Sequence, residues 1–270
     1  MKKFPLIKRV KRVFLEEGLI IFLKKTIRVL ITPLILIYLF FKVKTLKSNK
    51  DKLLNQAYSG FIGGWFGKIK PSQVKEEFSL LLDEFKNLKP KNILELGTAN
   101  GGTLLLFTKL AYLEAKIVSV DLPGGKFGGG YSKWRIPLYK SFSNKNKSMF
   151  LIRKNSQIKS TLQEVRKIFA GNKVDFLFVD ADHTYRGIKR DFELYAPLVK
   201  RGGIIAFHDI VKHSHETEAG VDIFWEGIKD FFETEEFIKD KGQGWAGIGV
   251  IKNVIPSKIK KVIKNQTKDE

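Results

Sequence analysis

Residues 174–210 read VDFLFVDADHTYRGIKRDFELYAPLVKRGGIIAFHDI, and this stretch decides the fold class. It holds two short apolar runs, VDFLFV (174–179) and GGIIAF (202–207), each followed at once by ionisable side chains. Runs of this length, bounded by turn residues, are typical of buried parallel strands. The segment between them, 186–200, carries apolar residues at helical spacing, so a strand–helix–strand unit is predicted.

The ionisable groups at the ends of these two strands are the first candidates for a functional site. Asp180, Asp182 and His183 follow the first strand, and His208 and Asp209 follow the second. Open α/β sheets bind ligands at the carboxyl ends of their parallel strands. Three carboxylates and two imidazoles at one edge would be unfavourable unless a cation or a substrate used them.

The rest of the chain continues the alternation of strands and helices. Further strands are predicted near 92–96, 116–121 and 149–153, with a last strand over 244–251, and helices near 72–87, 102–113, 157–170 and 220–233. Ser72 is the expected N-cap of the first of these helices, with Glu76 in its first turn. This order predicts an α/β fold with a doubly wound parallel sheet over residues 53–252. Residues 253–270 are polar and lysine-rich, so a frayed tail is expected there.

Composition limits the classes of protein that the chain can belong to. The 270 residues are 43% hydrophobic, which is enough for a substantial core, and the absence of Cys excludes disulfides and thiolate zinc sites. The formal net charge is +21, and residues 1–52 hold 14 Lys/Arg against 3 Asp/Glu, a net charge of +11. No groove-reading motif accompanies this charge, so nucleic acid is not the expected partner.

The N-terminal segment, residues 1–52, combines basic residues with a long apolar run. VLITPLILIYLFF (29–41) contains Pro33 and spans only about 20 Å as a helix, less than the ~30 Å of a bilayer core. Both of its flanks are basic, and residues 6–14 form a basic amphipathic pattern. We therefore expect a helical extension that anchors a cytoplasmic protein to the anionic inner face of the membrane. The alternative is an ordinary helical segment packed on the rest of the chain or on a second subunit.

The first strand leads into a glycine turn, NILELGTANGGTLLLF (92–107). Gly97, Gly101 and Gly102 allow a ligand to approach the backbone, although their spacing differs from the G-x-G-x-x-G of NAD-binding turns. Glu95 precedes the turn, where it would repel a pyrophosphate and favour a cationic cofactor. The second strand ends at Asp121, where an acid commonly binds a ribose diol.

Together, E-L-G-T-A-x-G-G, a second strand ending in Asp, F-V-D-A-D-H-x-Y and F-H-D resemble the class I S-adenosylmethionine-dependent methyltransferases. The narrower similarity is to the cephalosporin-hydroxylase-like and macrocin-type O-methyltransferases, with more distant kinship to catechol and caffeoyl-CoA O-methyltransferases. The resemblance covers roughly residues 58–252 and implies a seven-stranded Rossmann-like methyltransferase sheet. It also implies residues that bind S-adenosylmethionine: Glu95, Gly97, Thr98, Ala99 and Gly101 in the loop, Asp121 at the ribose, and Asn155 and Ser156 beside the adenine.

In the metal-dependent relatives a divalent cation such as Mg²⁺ is held at the ends of strands four and five. The resemblance maps its ligands to Asp180, His208 and Asp209, although His208 departs from the usual pair of Asp and Asn. The base of those relatives is a Lys at the position that His183 occupies here, so Asp180 and His183 are the expected catalytic residues. The intrinsic pKa of an imidazole suits this role.

Several other residues have two interpretations. Asp182 either caps the following helix or joins the site, and His213, His215 and Glu216 are either solvated or face the acceptor. Gln73 and Trp245 are weaker candidates for the acceptor side, whereas Trp225 is expected in the core. The stretches 58–67 and 124–130 are expected to close over the site.

The favoured function is metal-assisted O-methylation of a hydroxyl on a sugar, a glycan or a lipid-linked saccharide at the membrane. The alternatives are methylation of a small catechol-like hydroxyl, and a non-catalytic membrane-bound scaffold of the same fold. A homo-oligomer is compatible with the sequence.

Overall fold

A computed structural model of the protein describes residues 19–59, 69–125 and 130–266. Among these residues, three helices come before the sheet: α1 (Leu19–Lys44), α2 (Lys50–Tyr58) and α3 (Lys75–Leu88). Strands and helices then alternate in the order β1 (Asn92–Leu96), α4 (Gly102–Leu110), β2 (Lys116–Val120), α5 (Ile136–Lys140), β3 (Ser148–Ile152), α6 (Lys159–Phe169), β4 (Val174–Val179), α7 (Tyr185–Tyr195) and β5 (Val199–His208). The chain continues with α8 (Val221–Ile228), β6 (Glu233–Phe237), β7 (Ile248–Lys252) and α9 (Pro256–Gln266).

The seven strands form one sheet in the order β3-β2-β1-β4-β5-β7-β6. Strands β1 to β5 are parallel, and the hairpin β6–β7 adds two antiparallel strands beyond β5. The strand order reverses between β1 and β4, which is the switch point where doubly wound sheets open a crevice for ligands. The predicted doubly wound, seven-stranded α/β fold is confirmed.

The sheet is covered on both faces by separate apolar layers. One layer includes Phe78, Phe107 and Phe176 and is closed by α1 to α5. The other includes Phe192, Phe207 and Trp225 and is closed by α6 to α9. Burial on both faces explains why the central strands are apolar throughout instead of alternating. Trp225 lies in the core as predicted, with 1% of its surface exposed.

Four boundaries differ from the prediction. The helix predicted over 72–87 starts at Lys75 with Val74 at its N-cap, so Ser72 is not the cap. The helix predicted over 220–233 ends at Ile228, and residues 233–237 form the edge strand β6, which was missed because ETEEF has no apolar run. The predicted frayed tail is wrong for residues 256–266, where Pro256 opens a helix that buries Ile259 and Val262. The last strand begins at Ile248, not at Gly244.

Helix α1 is held to the domain by its C-terminal half. Ile35, Leu39 and Val43 are buried in the first apolar layer. The opposite side of the helix stays exposed, and Leu30, Leu34, Ile37 and Phe41 are each more than half exposed. Among the helices that the structure describes, none combines the length and apolar character needed to cross a membrane. Residues 1–18, which contain the predicted amphipathic pattern 6–14, lie outside the described residues.

Candidate functional site

The loop that follows β1, residues 97–101, lies at the switch point of the sheet. Its conformation is fixed by Asp121 at the end of β2, whose Oδ2 accepts hydrogen bonds from the backbone N–H groups of Thr98 (3.0 Å) and Ala99 (2.7 Å). Ala99 has a φ of 42°, which is unfavourable for a residue with a Cβ atom. The two bonds to Asp121 stabilise this conformation, so Asp121 is part of the loop's structure as well as a predicted ligand.

Gly97 brings the loop after β1 into direct contact with the end of β4. Its φ is +92°, and a Cβ atom at this position would lie 1.9 Å from the carbonyl oxygen of Asp180. The backbone on either side is paired with its neighbours, since Gly97 N–H donates to Val120 O and Asp180 N–H donates to Leu96 O, both at 2.8 Å. Neither partner can move away without breaking the sheet, so only glycine fits.

Gly97→Ala is therefore expected to destabilise the fold by about 3 kcal/mol or more, because strain at positive φ adds to a backbone clash. Gly202→Ala is the matched control: its φ is +74°, but no atom lies within 4 Å of the place that a Cβ atom would take. This control should cost only about 1–2 kcal/mol. Urea unfolding of both variants measures the difference. Equal losses of stability would show that the close approach to Asp180 is not the reason why glycine is needed at position 97.

A cavity of about 220 Å³ opens between this loop and the ends of β2, β3 and β4. Five of the eight predicted cofactor residues line it: Gly97, Ala99, Asp121, Asn155 and Ser156. Asp180 contributes to the same wall. Thr98 and Gly101 lie behind the loop, where Thr98 contacts Ser119 and Gly101 packs against the ring of Tyr139.

Glu95 does not line the cavity but lies beneath it, fully buried. The hydroxyl oxygens of Thr103 and Ser119 each lie 2.6 Å from one of its carboxyl oxygens. Burial raises the pKa of Glu95 to about 8, even though these hydrogen bonds act to lower it. Near neutral pH the side chain is therefore largely protonated and supports the loop as a neutral group.

This pKa predicts a dependence of stability on pH. The folded state keeps a proton on Glu95 up to about pH 8, whereas the unfolded chain releases it near the ordinary value of 4.5. The contribution of Glu95 to stability is thus present at low pH and is lost as the pH rises through this window. In Glu95→Gln the side chain stays neutral at every pH. The free energy of unfolding of this variant minus that of the wild type should therefore increase from about pH 4.5 to about pH 8 and then level off. Denaturant unfolding across this range measures the effect, and parallel curves for the two proteins would contradict it.

The ends of β4 and β5 bring together the acidic and imidazole groups that the sequence singled out. His208 Nδ1 lies 3.2 Å from Asp180 Oδ1 and 3.2 Å from Asp209 Oδ2. His183 Nδ1 lies 3.4 Å from Asp209 Oδ2, and its Nε2 lies 3.8 Å from Asp180 Oδ1. The predicted catalytic and metal-ligand residues therefore form a single cluster, called the acidic–imidazole cluster below.

A second ring of side chains surrounds this cluster. Glu216 Oε2 lies 3.0 Å from His183 Nδ1, and His213 Nε2 lies 2.9 Å from Asp209 Oδ1. The loop after β5 thus returns to the cluster, where His213 contacts Asp209 and Glu216 contacts His183. That they face the acceptor stays a prediction. Asp182 lies outside the cluster but lines the cavity beside Asp180, and its Oδ1 accepts from the N–H and the hydroxyl of Thr184, which is the N-cap of α7. Asp182 thus supports the capping residue and does not cap the helix directly.

The electrostatics of the cluster are dominated by the two aspartates around His208. Burial alone would lower the pKa of His208, but the charges of Asp209 and Asp180 raise it well above its usual value. Burial likewise acts to raise the pKa of Asp209, and the neighbouring imidazoles hold it well below its ordinary range. The cluster is therefore built to pair carboxylates with positive charge.

The same groups fit a divalent cation. Asp180, His183 and Asp209 each offer a ligand atom within 4.8 Å of the others. Carboxylate oxygens are the ligands that Mg²⁺ and Mn²⁺ prefer, and imidazole nitrogen is a common ligand of first-row transition metals. His208, the ligand implied by the resemblance, lies between the same two carboxylates, so two imidazoles compete for that role.

Three residues that position the site had weak or no signals in the sequence. Gln73, a weak candidate, donates from Nε2 to Asp180 Oδ2 at 2.7 Å. Tyr139 donates to Ala99 O at 2.9 Å and supports the loop from α5, a helix that was not predicted. Glu77 is buried in α3 and accepts from the N–H groups of Lys239 and Gly247, which fixes the connection between β6 and β7.

The two stretches that are expected to close over the site, 58–67 and 124–130, are only partly described by the structure. Gly125 and Gly130 line the cavity, but residues 126–129 and 60–68 lie outside the described residues. Trp245 is 44% exposed and lines a neighbouring cavity of about 480 Å³ together with Tyr58, Gln73 and Asn100. Among the described residues, His215 makes no ion pair or hydrogen bond with the acidic–imidazole cluster.

Comparison with known proteins agrees with this geometry. Residues 94–210, from β1 to the end of β5, match the family model described as a methyltransferase domain. This part of the chain therefore has the sequence pattern of a methyltransferase domain. The predicted resemblance to class I methyltransferases is confirmed at this level. The matched region contains the loop after β1, Asp121 and all four residues of the acidic–imidazole cluster.

Relatives and solved structures are similar to this chain over part of their length. A probable caffeoyl-CoA O-methyltransferase of Dictyostelium discoideum is 25% identical over 136 residues, 50% of this chain and 55% of that protein. An uncharacterised protein of Sinorhizobium fredii is 27% identical over 132 residues, 47% of this chain and 14% of that protein. The structure of an O-methyltransferase from Bacillus cereus, solved with SAH, aligns with a TM-score of 0.51 at 17% identity and covers 76% of this chain and 92% of that one. The chain thus spans about half or less of the two relatives' lengths, and the structural likeness supports the fold.

Proposed function

We propose that the protein is an S-adenosylmethionine-dependent O-methyltransferase, assisted by a divalent cation, that acts on a hydroxyl group of a saccharide. One observation carries the proposal: Asp180 belongs both to the wall of the cofactor cavity and to the acidic–imidazole cluster. A methyl donor in the cavity would therefore lie beside groups that can bind and deprotonate a hydroxyl. S-adenosylmethionine supplies an electrophilic methyl group on a positively charged sulfur.

The cofactor would be held by the backbone and the carboxylate at the end of β2. Gly97 and Ala99 allow close approach to the loop, and Asp121 would accept hydrogen bonds from the ribose hydroxyls. Asn155 and Ser156 line the same cavity after β3, where the adenine would contact them. Burial raises the pKa of Asp121, so binding a partner with hydroxyl donors offsets the cost of keeping this carboxylate charged.

The acidic–imidazole cluster supplies the groups that act on the acceptor. Asp180 and Asp209, with His208 as a third ligand, would hold the divalent cation, which lowers the pKa of a bound hydroxyl. His183 would accept the proton of that hydroxyl. Glu216 orients its ring through the 3.0 Å contact with Nδ1 and stabilises the protonated imidazole.

A saccharide is supported by the cavity that adjoins the cluster. Gln73 reaches from this cavity to Asp180, and Asn100, Lys70 and Ser72 add further polar groups to its lining. Tyr58 and Trp245 provide aromatic surface in the same cavity. A polyol needs this combination of hydrogen-bonding groups and flat apolar faces. The exposed apolar side of α1 supports an acceptor carried on a lipid at the inner face of a membrane.

A second acceptor class is a catechol-like hydroxyl. The similarity to the probable caffeoyl-CoA O-methyltransferase favours it, and Tyr58 and Trp245 could pack against a planar ring.

The experiment uses the full-length chain. Calorimetry first measures binding of S-adenosylmethionine; a protein that binds none would refute the proposal. Methyl transfer is then followed with labelled cofactor into membrane glycolipids, soluble glycans and catechols, each with EDTA and after Mg²⁺ or Mn²⁺ is added back. Label in the saccharide fractions that requires the cation supports the proposal, label in catechols alone supports the second acceptor, and binding without transfer to any fraction leaves the scaffold alternative.

A further inference from the structure

A cavity of about 600 Å³ lies away from the methyltransferase site, between α1, the end of α4 and the segment from α5 to residue 145. Helix α4 begins directly after the loop that follows β1 and ends at Leu110. Residues 141–147 lead into the beginning of β3. The cavity therefore lies toward the amino ends of the strands, at the opposite edge from the acidic–imidazole cluster. We call it the lysine pocket.

The lining of the lysine pocket is strongly cationic. Four ammonium groups line it, those of Lys44, Lys109, Lys140 and Lys145, and none of its described lining residues is acidic. Within the described part of the chain, no carboxylate forms an ion pair with any of these four lysines. Like charges collected around a cavity without counter-charges repel one another, and an anion would relieve that repulsion.

Lys109 shows most clearly that the charge is built into the fold. Its side chain is only 9% exposed, although it is a lysine at the end of a helix. Burial lowers the pKa of Lys109, and burial together with the charge of Lys109 lowers the pKa of the adjacent Lys147 to about 8. Lys147 in turn donates to Thr108 O at 2.6 Å, which keeps its charge close to the pocket.

The surface beside the lysine pocket is apolar. Phe40 lines the pocket under the ammonium group of Lys44, which lies 3.9 Å from the ring centroid. Phe41, Ile37 and Leu34 continue along the same helix as exposed side chains. A lysine pocket at the end of an exposed apolar helix face matches the two parts of an anionic phospholipid, a phosphate and its acyl chains.

We propose that the lysine pocket binds a phosphate group, and that this phosphate belongs to an anionic lipid whose acyl region receives the exposed face of α1. The proposal is independent of methyl transfer, because the lysine pocket contains no residue of the cofactor cavity or of the acidic–imidazole cluster. It gives the expected membrane association a defined binding site in place of a diffuse positive charge.

The test compares two charge-matched triple variants of the full-length chain in vesicle flotation. Lys44→Gln/Lys140→Gln/Lys145→Gln removes three exposed lysines of the pocket, and Lys86→Gln/Lys159→Gln/Lys167→Gln removes three exposed lysines elsewhere. With phosphatidylcholine vesicles that contain phosphatidic acid, the pocket variant should bind roughly 10- to 100-fold more weakly than the wild type. The control should lose less than about threefold. Equal losses in the two variants would overturn the proposal.

Two further arms separate the sources of the phosphate. Calorimetry with inorganic phosphate or pyrophosphate should show binding far weaker than to anionic vesicles. The lipid would be overturned as the source of the phosphate if the triple variant lost tight binding of free pyrophosphate but bound vesicles as well as the wild type. The pocket would then remain a phosphate site. In case the triple variant folds poorly, Lys145→Gln alone is compared with Lys159→Gln, because both side chains are exposed and neither forms an ion pair in the described residues.

Discussion

Replacing Asp121 with alanine is expected to weaken binding of S-adenosylmethionine by about 100-fold or more. The substitution removes the acceptor for the ribose hydroxyls and also leaves the N–H groups of Thr98 and Ala99 without their partner. Since Ala99 has a positive φ, the loop that the cofactor must approach loses the contact that stabilises it. Isothermal titration of the cofactor into the full-length variant measures the effect.

Asp175 provides a control with nearly the same local chemistry. Its Oδ2 also accepts two backbone N–H groups, those of Lys91 and Asn92, both at 2.7 Å. Asp175 lies at the beginning of β4, however, at the opposite edge of the sheet from the cavity. Asp175→Ala should therefore lower stability and leave the affinity for the cofactor within about threefold of the wild type. A comparable loss of affinity in both variants would mean that Asp121 acts only through the fold.

Replacing Asp180 with asparagine is expected to lower the rate of methyl transfer by about 1,000-fold or more. Asparagine keeps the shape of the side chain and an oxygen for Gln73, but it removes the negative charge that the cation and the two imidazoles face. Cofactor affinity should fall only a few-fold, because the backbone that forms the cavity wall is unchanged. Single-turnover kinetics with labelled cofactor, repeated over a series of Mn²⁺ concentrations, separates the two effects.

A charge-matched control for this variant is Asp222→Asn in the first turn of α8, outside the acidic–imidazole cluster. It should leave the rate and its dependence on the cation unchanged. If Asp180→Asn kept most of the activity, or if its rate no longer responded to the cation while remaining high, the proposed role of Asp180 as a ligand would be refuted.

The residues at the strand ends could be predicted because the signal is local. A buried strand needs an apolar run, and the polar residue that ends the run must lie at the edge of the sheet. This rule is sufficient to place Asp121, Asp180 and Asp209 at the edge where the structure has them. The helix 256–266 could also have been found, since Ile255, Ile259 and Val262 recur at helical spacing among the lysines.

Other parts of the site depend on contacts between residues far apart in the chain. Glu77 in α3 fixes the connection before β7, and Tyr139 supports Ala99 from a short helix with no clear periodicity. The sequence around Glu77 and around Tyr139 contains no pattern that indicates which residue each one contacts. Whether His183 or His208 is the better cation ligand depends on ring positions within a few ångströms of Asp180 and Asp209, and spacing in the sequence cannot resolve that.

The contact between Gly97 and Asp180 has a consequence for how the enzyme would turn over. Because the two strand ends touch through main-chain atoms, the proposed donor side and the proposed acceptor side share one closely packed wall of backbone. We expect the relative position of these two strand ends to be set at folding and to stay the same in each catalytic cycle. Exchange of spent cofactor for fresh cofactor must then depend on the segments around this wall, so changes in those segments should alter the rate of product release and leave the chemical step unchanged.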